Sequence, residues 1–551
     1  MKFFRGRRAA PPLLLLAFVA TICTAQVFTP QPELAARLDR RLGEMMAQRR
    51  FSGAVLVARA GKVILKKGYG MANHEFDIPN TPRTKFRLGS LTKQFTAAAV
   101  MLLEERGRLS VQDSVCKHVE NCPAAWQPVT LHHLLTHSSG VPTFTGTPEY
   151  RSWKRQPTTV AETLKLFRER PLEFTPGERF NYSNSGYVLL GHVVEKASGK
   201  SYEDFLRENI FAPLGMKDTG YDRAEQVLKN RASGYFFDGD RVANAPYIDM
   251  SVPHAAGALY STVEDLYLWD QALHGGKLLS RKSLDAMTTP LHQQYGYGLS
   301  VGKQFGLRRV AHGGAIEGFN TFMAHYPEEN ATVIVLMNLE RLSAGAPAVV
   351  LARELLADKV VLPATVKVEP SVLRSYAGRY EVDPTVMPNA VVDVTIEGDK
   401  IFVKPSNQFR HELAPVSATE FFDFDDPGDQ RFVFGKDERG VETLTLKGAG
   451  PRPVTARKLT LPAPSLKGNT TFKLKGHETA RLVALAGGFN NWNQSHTVCA
   501  KEPDGWVCRI DLAPGKHLYK FVVDGVWLND PDNPNREADG SGNVNSVLSK
   551  N

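Results

Sequence analysis

The sequence predicts an α+β domain with one antiparallel sheet and an inserted helical lobe, followed by two small all-β domains. In residues 30–362, strand-like segments lie at both ends and mostly helical segments lie between them, which favours a single sheet built from both ends. Residues 366–461 consist of short runs that alternate apolar and polar side chains, as strands do. Residues 465–551 are again rich in such runs and follow a stiff Leu-Pro-Ala-Pro segment at 461–464.

The composition is that of a globular protein, but the N-terminus differs from the rest. Of the 551 residues, 42% are hydrophobic and 23% are charged. Residues 1–25 combine four basic residues, an apolar run from Pro11 to Ile22 and a small-residue site from Cys23 to Ala25. This pattern predicts a cleaved signal peptide, hence a secreted or periplasmic protein with no stable membrane span after cleavage. An uncleaved anchor is the alternative, although the apolar run is short for a membrane span.

Charge and cysteine content narrow the possible partners and compartments. Removal of the signal peptide lowers the formal net charge from +9 to about +5. That charge is too diffuse to indicate nucleic-acid binding. In an oxidising compartment the economical pairing joins Cys116 to Cys122 and Cys499 to Cys508, and free buried thiols are the alternative.

Residue spacing places the elements of the first domain. Alternating runs at 53–60 and 62–70 predict a hairpin. Apolar residues at helical spacing predict a helix over 95–109, with Gly107 as a stop signal. After the helical middle, strands are predicted at 297–301, 307–312, 319–326 and 332–338, and a last helix at 346–357.

Ser90 and Lys93 lie three residues apart at the start of the predicted helix, so their side chains share one face. A serine becomes an effective nucleophile when a neighbour takes its proton, and a lysine whose pKa is lowered by burial can do this. The spacing alone is weak evidence, because two more Ser-x-x-Lys sequences begin at Ser114 and Ser300. Of the three, only Ser90 opens an amphipathic helix, which favours it as the nucleophile.

A second segment, Tyr182-Ser183-Asn184, is the only Tyr-x-Asn sequence in the chain. If it is extended, the phenol and the amide point the same way and could both face Ser90. A positive charge on a nearby lysine would favour the phenolate of Tyr182, which suits it to relay protons. Taken alone, the segment also fits a turn capped by Asn184 with the tyrosine in the core.

A third segment, His312-Gly313-Gly314, ends a predicted strand. Two glycines let a substrate approach the strand backbone closely enough to accept hydrogen bonds from its N–H groups. Gly313 and Gly314 are therefore candidate substrate-binding residues, whereas a lone histidine before glycines also fits a structural role.

Together the three segments resemble the marks of the serine hydrolases of the class C β-lactamase and penicillin-binding protein family, which are Ser-x-x-Lys, Tyr-x-Asn and a Lys/His-Thr/Ser/Gly-Gly strand motif. The resemblance covers roughly residues 34–358 and implies a serine β-lactamase-like fold. Other segments that look like this family's are LLTHSSG at 134–140, FTPG at 174–177, FNYSN at 180–184, PLGM at 213–216 and GALYST at 257–262.

The resemblance implies a role for each residue at these positions. Ser90 would be the acylated nucleophile, and Lys93 and Tyr182 would transfer protons. Asn184 would position the substrate amide or Lys93. The backbone N–H groups of Ser90 and Ala315 would form the oxyanion hole.

His312 departs from one branch of this family. The β-lactamases and transpeptidases generally have lysine there, and its fixed charge helps to bind the substrate carboxylate. A histidine is similar to the D-aminopeptidases, esterases and uncharacterised peptidase-like members, and a mostly neutral imidazole binds a carboxylate less well. The sequence therefore favours amide or ester hydrolysis over action on β-lactams or peptidoglycan.

Three clustered histidines raise the question of a metal site. His133 and His137 are four residues apart, with His132 beside them. No acidic residue with metalloprotease spacing accompanies them, which favours structural roles. We expect neither a metal nor an organic cofactor.

The two C-terminal domains resemble modules with different roles. The small all-β domain, which contains Tyr376-Ala-Gly-Arg-Tyr380, resembles a domain often appended to these hydrolases and offers no chemistry of its own. The last segment looks like the family 48-type glycogen-binding module of AMP-activated kinase β subunits, which implies an immunoglobulin-like sandwich. Its candidate sugar contacts are Trp492, Lys520, Trp527 and Asn545. Two core tryptophans, or a docking domain, are the alternatives.

The leading hypothesis is a secreted or periplasmic serine hydrolase that acts on a small ester, amide or peptide substrate and is held near an α-glucan or another glycan. A β-lactamase or D,D-peptidase is the alternative within this class. An inactive carbohydrate-binding or scaffold protein is the alternative from another class, and the co-occurrence of Ser90, Lys93, Tyr182 and Asn184 argues against it.

Overall fold

The structure is a computed structural model that describes residues 32–238, 241–340, 342–387, 389–406, 410–424, 428, 430–448, 452–539 and 544–550. The predicted signal peptide lies outside these residues. Within them, no helix is both long and apolar enough to cross a membrane.

The first domain alternates strands with a long helical insertion. Its helices are α1 (Pro32–Ala47), α2 (Thr92–Glu105), α3 (Leu131–Leu135), α4 (Tyr150–Trp153), α5 (Val160–Lys165), α6 (Asn184–Ser198), α7 (Tyr202–Leu206), α8 (Ala212–Leu214), α9 (His254–Gly257), α10 (Val263–His274), α11 (Arg281–Met287) and α12 (Gly345–Leu355). Its strands are β1 (Gly53–Arg59), β2 (Lys62–Tyr69), β3 (Met71–Asn73), β4 (Ile78–Pro79), β5 (Phe86–Arg87), β6 (Gly220–Tyr221), β7 (Tyr235–Asp238), β8 (Arg241–Asn244), β9 (Leu259–Ser261), β10 (Ser300–Gln304), β11 (Leu307–Ile316), β12 (Phe319–Tyr326) and β13 (Ala331–Met337).

The main sheet of this domain has the order β10-β11-β12-β13-β1-β2, and every neighbouring pair is antiparallel. The N-terminal hairpin therefore pairs with a strand that lies far later in the chain, as in the pair of Gly53 with Met337, which are 284 residues apart. The predicted α+β fold with an inserted helical lobe is confirmed.

Helices pack on both faces of this sheet, and alternate side chains of β1 contact them. Leu56 belongs to the same apolar cluster as Phe95 of α2. Val55 points the other way and joins Leu38 of α1 and Leu351 of α12. The buried sheet thus supports α2, the helix that begins just after Ser90.

Two predicted boundaries differ from the structure. The strand expected at 297–301 lies at β10, because Gly298 has a left-handed φ of 68° and a bridge between Tyr295 and Ser300 makes the preceding residues a turn. The helix expected over 95–109 is α2, which starts three residues earlier and ends before Gly107 (φ 65°).

The second domain is a closed eight-stranded antiparallel barrel preceded by a short helix. The helix is α13 (Pro370–Tyr376), and the strands are β14 (Gly378–Val382), β15 (Val391–Glu397), β16 (Lys400–Pro405), β17 (His411–Pro415), β18 (Glu420–Asp423), β19 (Arg431–Lys436), β20 (Glu442–Lys447) and β21 (Val454–Lys458). The barrel closes because β14 pairs with β21 as well as with β15.

The third domain consists of two antiparallel sheets that face each other across an apolar core. One sheet has the order β22-β25-β24, and the other has the order β23-β26-β29-β28 with β27 beside β26. The strands are β22 (Thr470–Lys475), β23 (Val483–Gly487), β24 (Ala500–Glu502), β25 (Gly505–Ile510), β26 (Gly515–Val523), β27 (Val526–Leu528), β28 (Arg536–Ala538) and β29 (Val544–Lys550). The two predicted cysteine pairs are bonded in the structure, with S–S distances of 2.09 Å for Cys116 and Cys122 and 2.08 Å for Cys499 and Cys508.

Candidate active site

Ser90 lies in a tight 3-10 turn, Gly89–Leu91, that leads directly into α2. Gly89 has a left-handed φ of 53°, and a Cβ atom there would lie 3.0 Å from backbone atoms of Ala315. Only glycine fits both conditions without strain. The turn therefore presses the start of α2 against β11, which brings Ser90 and Ala315, the two predicted oxyanion-hole residues, together.

Lys93 is fully buried one helical turn after Ser90. Its Nζ atom lies 2.9 Å from Ser90 Oγ, 2.8 Å from Asn184 Oδ1 and 2.9 Å from the carbonyl oxygen of Ala256. Burial lowers the pKa of Lys93 well below its usual value.

The surroundings of Lys93 suit a neutral amine that acts as a base. Asn184 Oδ1 and the Ala256 carbonyl oxygen only accept hydrogen bonds, so they take the two N–H groups of the amine. The nitrogen lone pair is then left for the hydroxyl proton of Ser90. This is the geometry that general-base activation of a serine requires.

Tyr182 completes this group, with a protonation state that differs from the expected one. Its hydroxyl hydrogen-bonds with Ser90, and its ring centre lies 4.8 Å from Lys93 Nζ. Burial raises the pKa of Tyr182 above its usual value despite that hydrogen bond. The phenol is therefore protonated at rest and is suited to donate a proton, whereas the sequence-based expectation was a favoured phenolate.

Asn184 is the first residue of α6 and is held from two sides. Its Oδ1 atom accepts from Lys93, and its Nδ2 atom donates to Thr145 Oγ1 at 3.2 Å. Its backbone N–H donates to Thr143 Oγ1 at 3.2 Å. These contacts hold the amide oxygen of Asn184 against Lys93.

The glycines of β11 lie where the strand passes the start of α2. A Cβ atom on Gly314 would lie 2.0 Å from the carbonyl oxygen of Leu88, so this position has no room for a side chain. A Cβ atom on Gly313 would meet nothing nearer than 3.5 Å. Gly314 is therefore required for close packing, and Gly313 is not.

His312 is buried and both of its ring nitrogens are engaged. Its Nδ1 atom lies 2.5 Å from the Gly313 carbonyl oxygen, and its Nε2 atom lies 2.8 Å from the hydroxyl of Tyr295. A carbonyl only accepts, so Nδ1 carries the proton and Nε2 accepts from Tyr295. Burial lowers the pKa of His312 to about 4, so the ring is neutral at pH 7. It provides no fixed positive charge for a substrate carboxylate.

The three histidines that raised a metal question have separate partners. His133 Nδ1 accepts from the N–H of Thr130 at 3.2 Å and caps α3. His132 Nδ1 lies 2.7 Å from the Tyr297 hydroxyl. His137 Nδ1 accepts from the N–H of Ser183 at 3.1 Å. Its ring stacks 4.2 Å from that of Tyr182, so it supports the active-site tyrosine from behind.

A cavity of about 310 Å³ opens beside Ser90. Apolar and aromatic side chains form much of its wall, among them Phe144, Tyr150 and Ile248. Within the described part of the chain, its charged lining residues are Glu317 and Glu340. An acyl group of modest size can therefore lie against the nucleophile.

Several site residues were not predicted from the sequence. Thr145, Ala256, Tyr295, Glu317 and Glu340 reach the site only through the tertiary fold. Ala256 lies one residue before the family-like segment at 257–262, and this proximity could have pointed to it.

The four predicted sugar contacts of the third domain differ in their exposure to solvent. The rings of Trp492 and Trp527 lie 6.2 Å apart, and both are half-buried. Lys520 is half-buried on β26. The side chain of Asn545 is buried and donates to Asp539 at 3.3 Å. The indoles thus form a pair, while Asn545 is turned away from solvent.

A serine next to a buried amine and a glycine-lined strand, on this α+β fold, defines a serine hydrolase. The chain belongs to the Beta-lactamase family, whose model matches residues 38–357. Residues 469–550 match the model described as the glycogen recognition site of AMP-activated protein kinase.

Individual relatives agree with this assignment. The chain is 31% identical over 415 residues to Penicillin-binding protein 4* of Bacillus subtilis, which covers 70% of this chain and 90% of the relative. The octameric penicillin-binding protein homologue from Pyrococcus abyssi is similar with a TM-score of 0.55 and 28% identity, covering 76% of this chain and 99% of that one. The D-amino acid amidase of Ochrobactrum anthropi has a TM-score of 0.54 and 25% identity, covering 59% of this chain and 99% of that one.

Proposed function

We propose that this protein is a secreted or periplasmic hydrolase that cleaves an ester, amide or peptide bond through an acyl-enzyme on Ser90. The position of Lys93 carries the proposal, because its Nζ atom lies 2.9 Å from the Ser90 hydroxyl and burial lowers its pKa. A buried lysine that only stabilised the fold would have no reason to share its hydrogen bonds with a serine at the edge of a cavity.

The acylation step uses the groups already described. Ser90 Oγ attacks the carbonyl carbon while its proton passes to Lys93 Nζ, and the N–H groups of Ser90 and Ala315 stabilise the oxyanion. The bond to the leaving group then breaks. Tyr182 donates a proton to that group and is reprotonated by Lys93.

Deacylation follows the same route with water as the nucleophile. Water attacks the acyl carbon, its proton is taken up through Tyr182 and Lys93, and the Ser90 oxygen recovers a proton as it leaves. No metal or redox partner is needed to balance either step.

The neutral state of His312 supports ester or amide substrates over β-lactams. Its two nitrogens already bind Tyr295 and the Gly313 carbonyl, so neither is free to bind a substrate carboxylate. The D-amino acid amidase among the structural relatives is consistent with this choice. The penicillin-binding names among other relatives are the reason to test a β-lactam as well.

The test compares three chromogenic substrates: p-nitrophenyl acetate, D-alanine p-nitroanilide and nitrocefin. We expect the mature protein to turn over the ester or the anilide, and Ser90→Ala to abolish this. Ser114→Ala and Ser300→Ala are matched controls, because each removes the serine of another Ser-x-x-Lys sequence. Faster turnover of nitrocefin than of the others would reverse the ranking of substrates, and equal rates for the wild type and Ser90→Ala would exclude Ser90 as the nucleophile.

The third domain supports a second part of the proposal, which is targeting to an α-glucan or related glycan. Paired indoles stack on the apolar faces of sugar rings, and Trp492 and Trp527 lie 6.2 Å apart. Calorimetry with maltoheptaose should detect binding that Trp492→Ala and Trp527→Ala abolish. Val526→Ala, an exposed change on the same strand as Trp527, should bind normally. Absence of binding by the wild type would contradict this part alone.

A further inference from the structure

We propose that Asp270, His274 and His325 form a structural binding site for a Zn²⁺ ion, away from the cavity beside Ser90. Asp270 and His274 lie four residues apart on α10, so they share one face of the helix. His325 lies on β12, about 13 Å along the strand from Thr321, which donates a hydrogen bond to the segment just before Ser90. One ligand atom from each of the three side chains lies within 4.8 Å of the other two.

The carboxylate of Asp270 is fully buried, and its two oxygens differ in their partners. Oδ2 accepts hydrogen bonds from Thr332 Oγ1 at 2.5 Å and from Gln271 Nε2 at 3.0 Å, and it lies 3.1 Å from His325 Nδ1. Oδ1 is also buried, and among the described residues it has no hydrogen-bond partner. Because an unpaired buried carboxylate oxygen is costly, this atom points to a ligand that completes the group.

The imidazole of His274 lies on the side of this unpaired oxygen. Its Nε2 atom is 3.9 Å from Asp270 Oδ1, which is too long for a hydrogen bond. That distance suits an ion between the two atoms, because a Zn–N and a Zn–O bond together span about 4 Å. The rings of His274 and His325 are stacked, with centres 3.8 Å apart, so both imidazoles lie beside the same carboxylate. The His274 side chain is 13% exposed, which leaves a route for an ion to enter.

The types of ligand favour zinc. Two imidazoles and one carboxylate suit Zn²⁺, whereas Ca²⁺ and Mg²⁺ prefer oxygen ligands alone. Thr332 lies directly opposite His325 in the pairing of β12 with β13, and its hydrogen bond orients the carboxylate, as groups around metal ligands commonly do. An ion here would tie α10 to two strands of the main sheet. The ligands come from two segments that are distant in sequence, which is why no metal was expected from the sequence.

The test is calorimetric titration of Zn²⁺ into the mature protein, produced without a histidine tag and first dialysed against a chelator. We expect one Zn²⁺ to bind per chain with a Kd of about 1 µM or lower. His274→Ala removes a ligand but keeps the contact between Asp270 and His325, and it should weaken binding by about 100-fold or more. Thr332→Val removes only a hydrogen bond to the carboxylate, and it should weaken binding by about 10–100-fold.

The matched control is His292→Ala, which removes an exposed histidine from the same domain and should bind Zn²⁺ normally. Two measurements on the wild type do not depend on whether a variant folds. Saturating Zn²⁺ should raise the midpoint of thermal unfolding, because the unfolded chain lacks the assembled site. X-ray absorption spectroscopy of the Zn²⁺-loaded protein should show ligands at about 2.0–2.2 Å with the scattering pattern of two imidazoles.

Several results would overturn the zinc site. Absence of binding by the wild type would mean that Asp270 and His325 form only a buried ion pair. Binding that His274→Ala and Thr332→Val leave unchanged would place the ion elsewhere, as would a shell of oxygen ligands alone in the absorption spectrum. Loss of binding in His292→Ala would place the ion at the surface. None of these results bears on the hydrolase proposal, which is tested separately with chromogenic substrates.

Discussion

At the scale of single residues, the ability of Lys93 to take a proton depends on its buried environment. An exposed lysine would be charged and could not take a proton, whereas this one is enclosed and has two acceptors that fix its N–H groups. We expect Lys93→Arg to lower kcat/KM for p-nitrophenyl acetate by about 10²–10⁴-fold, because a guanidinium stays protonated. Initial rates of p-nitrophenol release at pH 7 would measure this loss.

The matched control for this change is Lys303→Arg. Lys303 is the exposed lysine of another Ser-x-x-Lys sequence, so its replacement should leave the rate within about twofold of the wild type, as surface substitutions usually do. A Lys93→Arg enzyme with full activity would mean that another group takes the proton of Ser90.

The neutral His312 predicts a pH effect on stability. In the unfolded chain its pKa returns to about 6.5, so between pH 6.5 and about 4 the unfolded state binds more protons than the folded state. The stability contributed by the buried neutral ring is therefore present above pH 6.5 and falls with pH through this window, by at most about 3 kcal/mol.

Urea unfolding at several pH values would measure this effect. His312→Asn, which does not titrate, should show a shallower loss of stability between pH 6.5 and 4 than the wild type. Other buried histidines, such as His254, titrate in the same window and keep some slope in both proteins. Parallel pH curves for the two proteins would mean that His312 does not have a depressed pKa.

The sequence was informative about residues that lie within short motifs. Ser90 and Lys93 are one helical turn apart, and Tyr182 and Asn184 are separated by one residue, so local geometry already relates them. Tyr295 could not be assigned in this way, because it reaches His312 across a turn whose shape depends on Gly298. The protonation state of Tyr182 was also beyond the sequence, since burial decides it.

At the scale of elements, the contact between the start of α2 and β11 defines the site. A Cβ atom on Gly314 would lie 2.0 Å from the carbonyl oxygen of Leu88 and 2.4 Å from Thr321 Oγ1. We expect Gly314→Ala to push β11 from α2 and to destabilise the domain by about 1–3 kcal/mol, as overpacking usually does. Gly313→Ala adds the same methyl group where 3.5 Å is available, so it should cost less.

Urea unfolding of the two glycine variants would measure this difference. Equal destabilisation would mean that the close approach of β11 to Leu88 does not restrict the side chain at position 314.

Strands and helices with a clear periodic pattern of apolar residues were predictable from the sequence. The closure of the barrel in the second domain was not. The hairpin of β1 and β2 and the later strands β11 to β13 lie close to where alternation places them. The second domain was expected only as a small all-β unit. Its closure depends on the pairing of Tyr380 with Lys458, which are far apart in sequence and carry no local signal.

At the scale of the whole molecule, the barrel and the third domain are joined by a set of polar contacts. Arg379 of β14 forms two hydrogen bonds with Asp393 and donates a third to the carbonyl oxygen of Gln494. Gln494 Nε2 donates to the carbonyl oxygen of Asn389 at 2.5 Å. Lys404 Nζ donates to the carbonyl oxygen of Asp524 at 2.9 Å. Gln494 is close in sequence to Trp492, and Asp524 is close to Trp527. The barrel therefore fixes the two segments that carry the paired indoles.

Arg379→Ala should therefore uncouple the third domain from the barrel. The arginine side chain is almost fully buried, and its removal leaves Asp393 without its bidentate partner, a loss of about 2–4 kcal/mol at this junction. Because the same contacts hold Gln494, two residues after Trp492, we expect weaker binding of maltoheptaose and a separate, lower unfolding transition in calorimetry. Arg457→Ala, which removes an exposed ion-pairing arginine from the same barrel, should change neither. If Arg379→Ala keeps the wild-type affinity and transitions, the two domains are only tethered by the chain, and the glycan-binding surface is formed by the third domain alone.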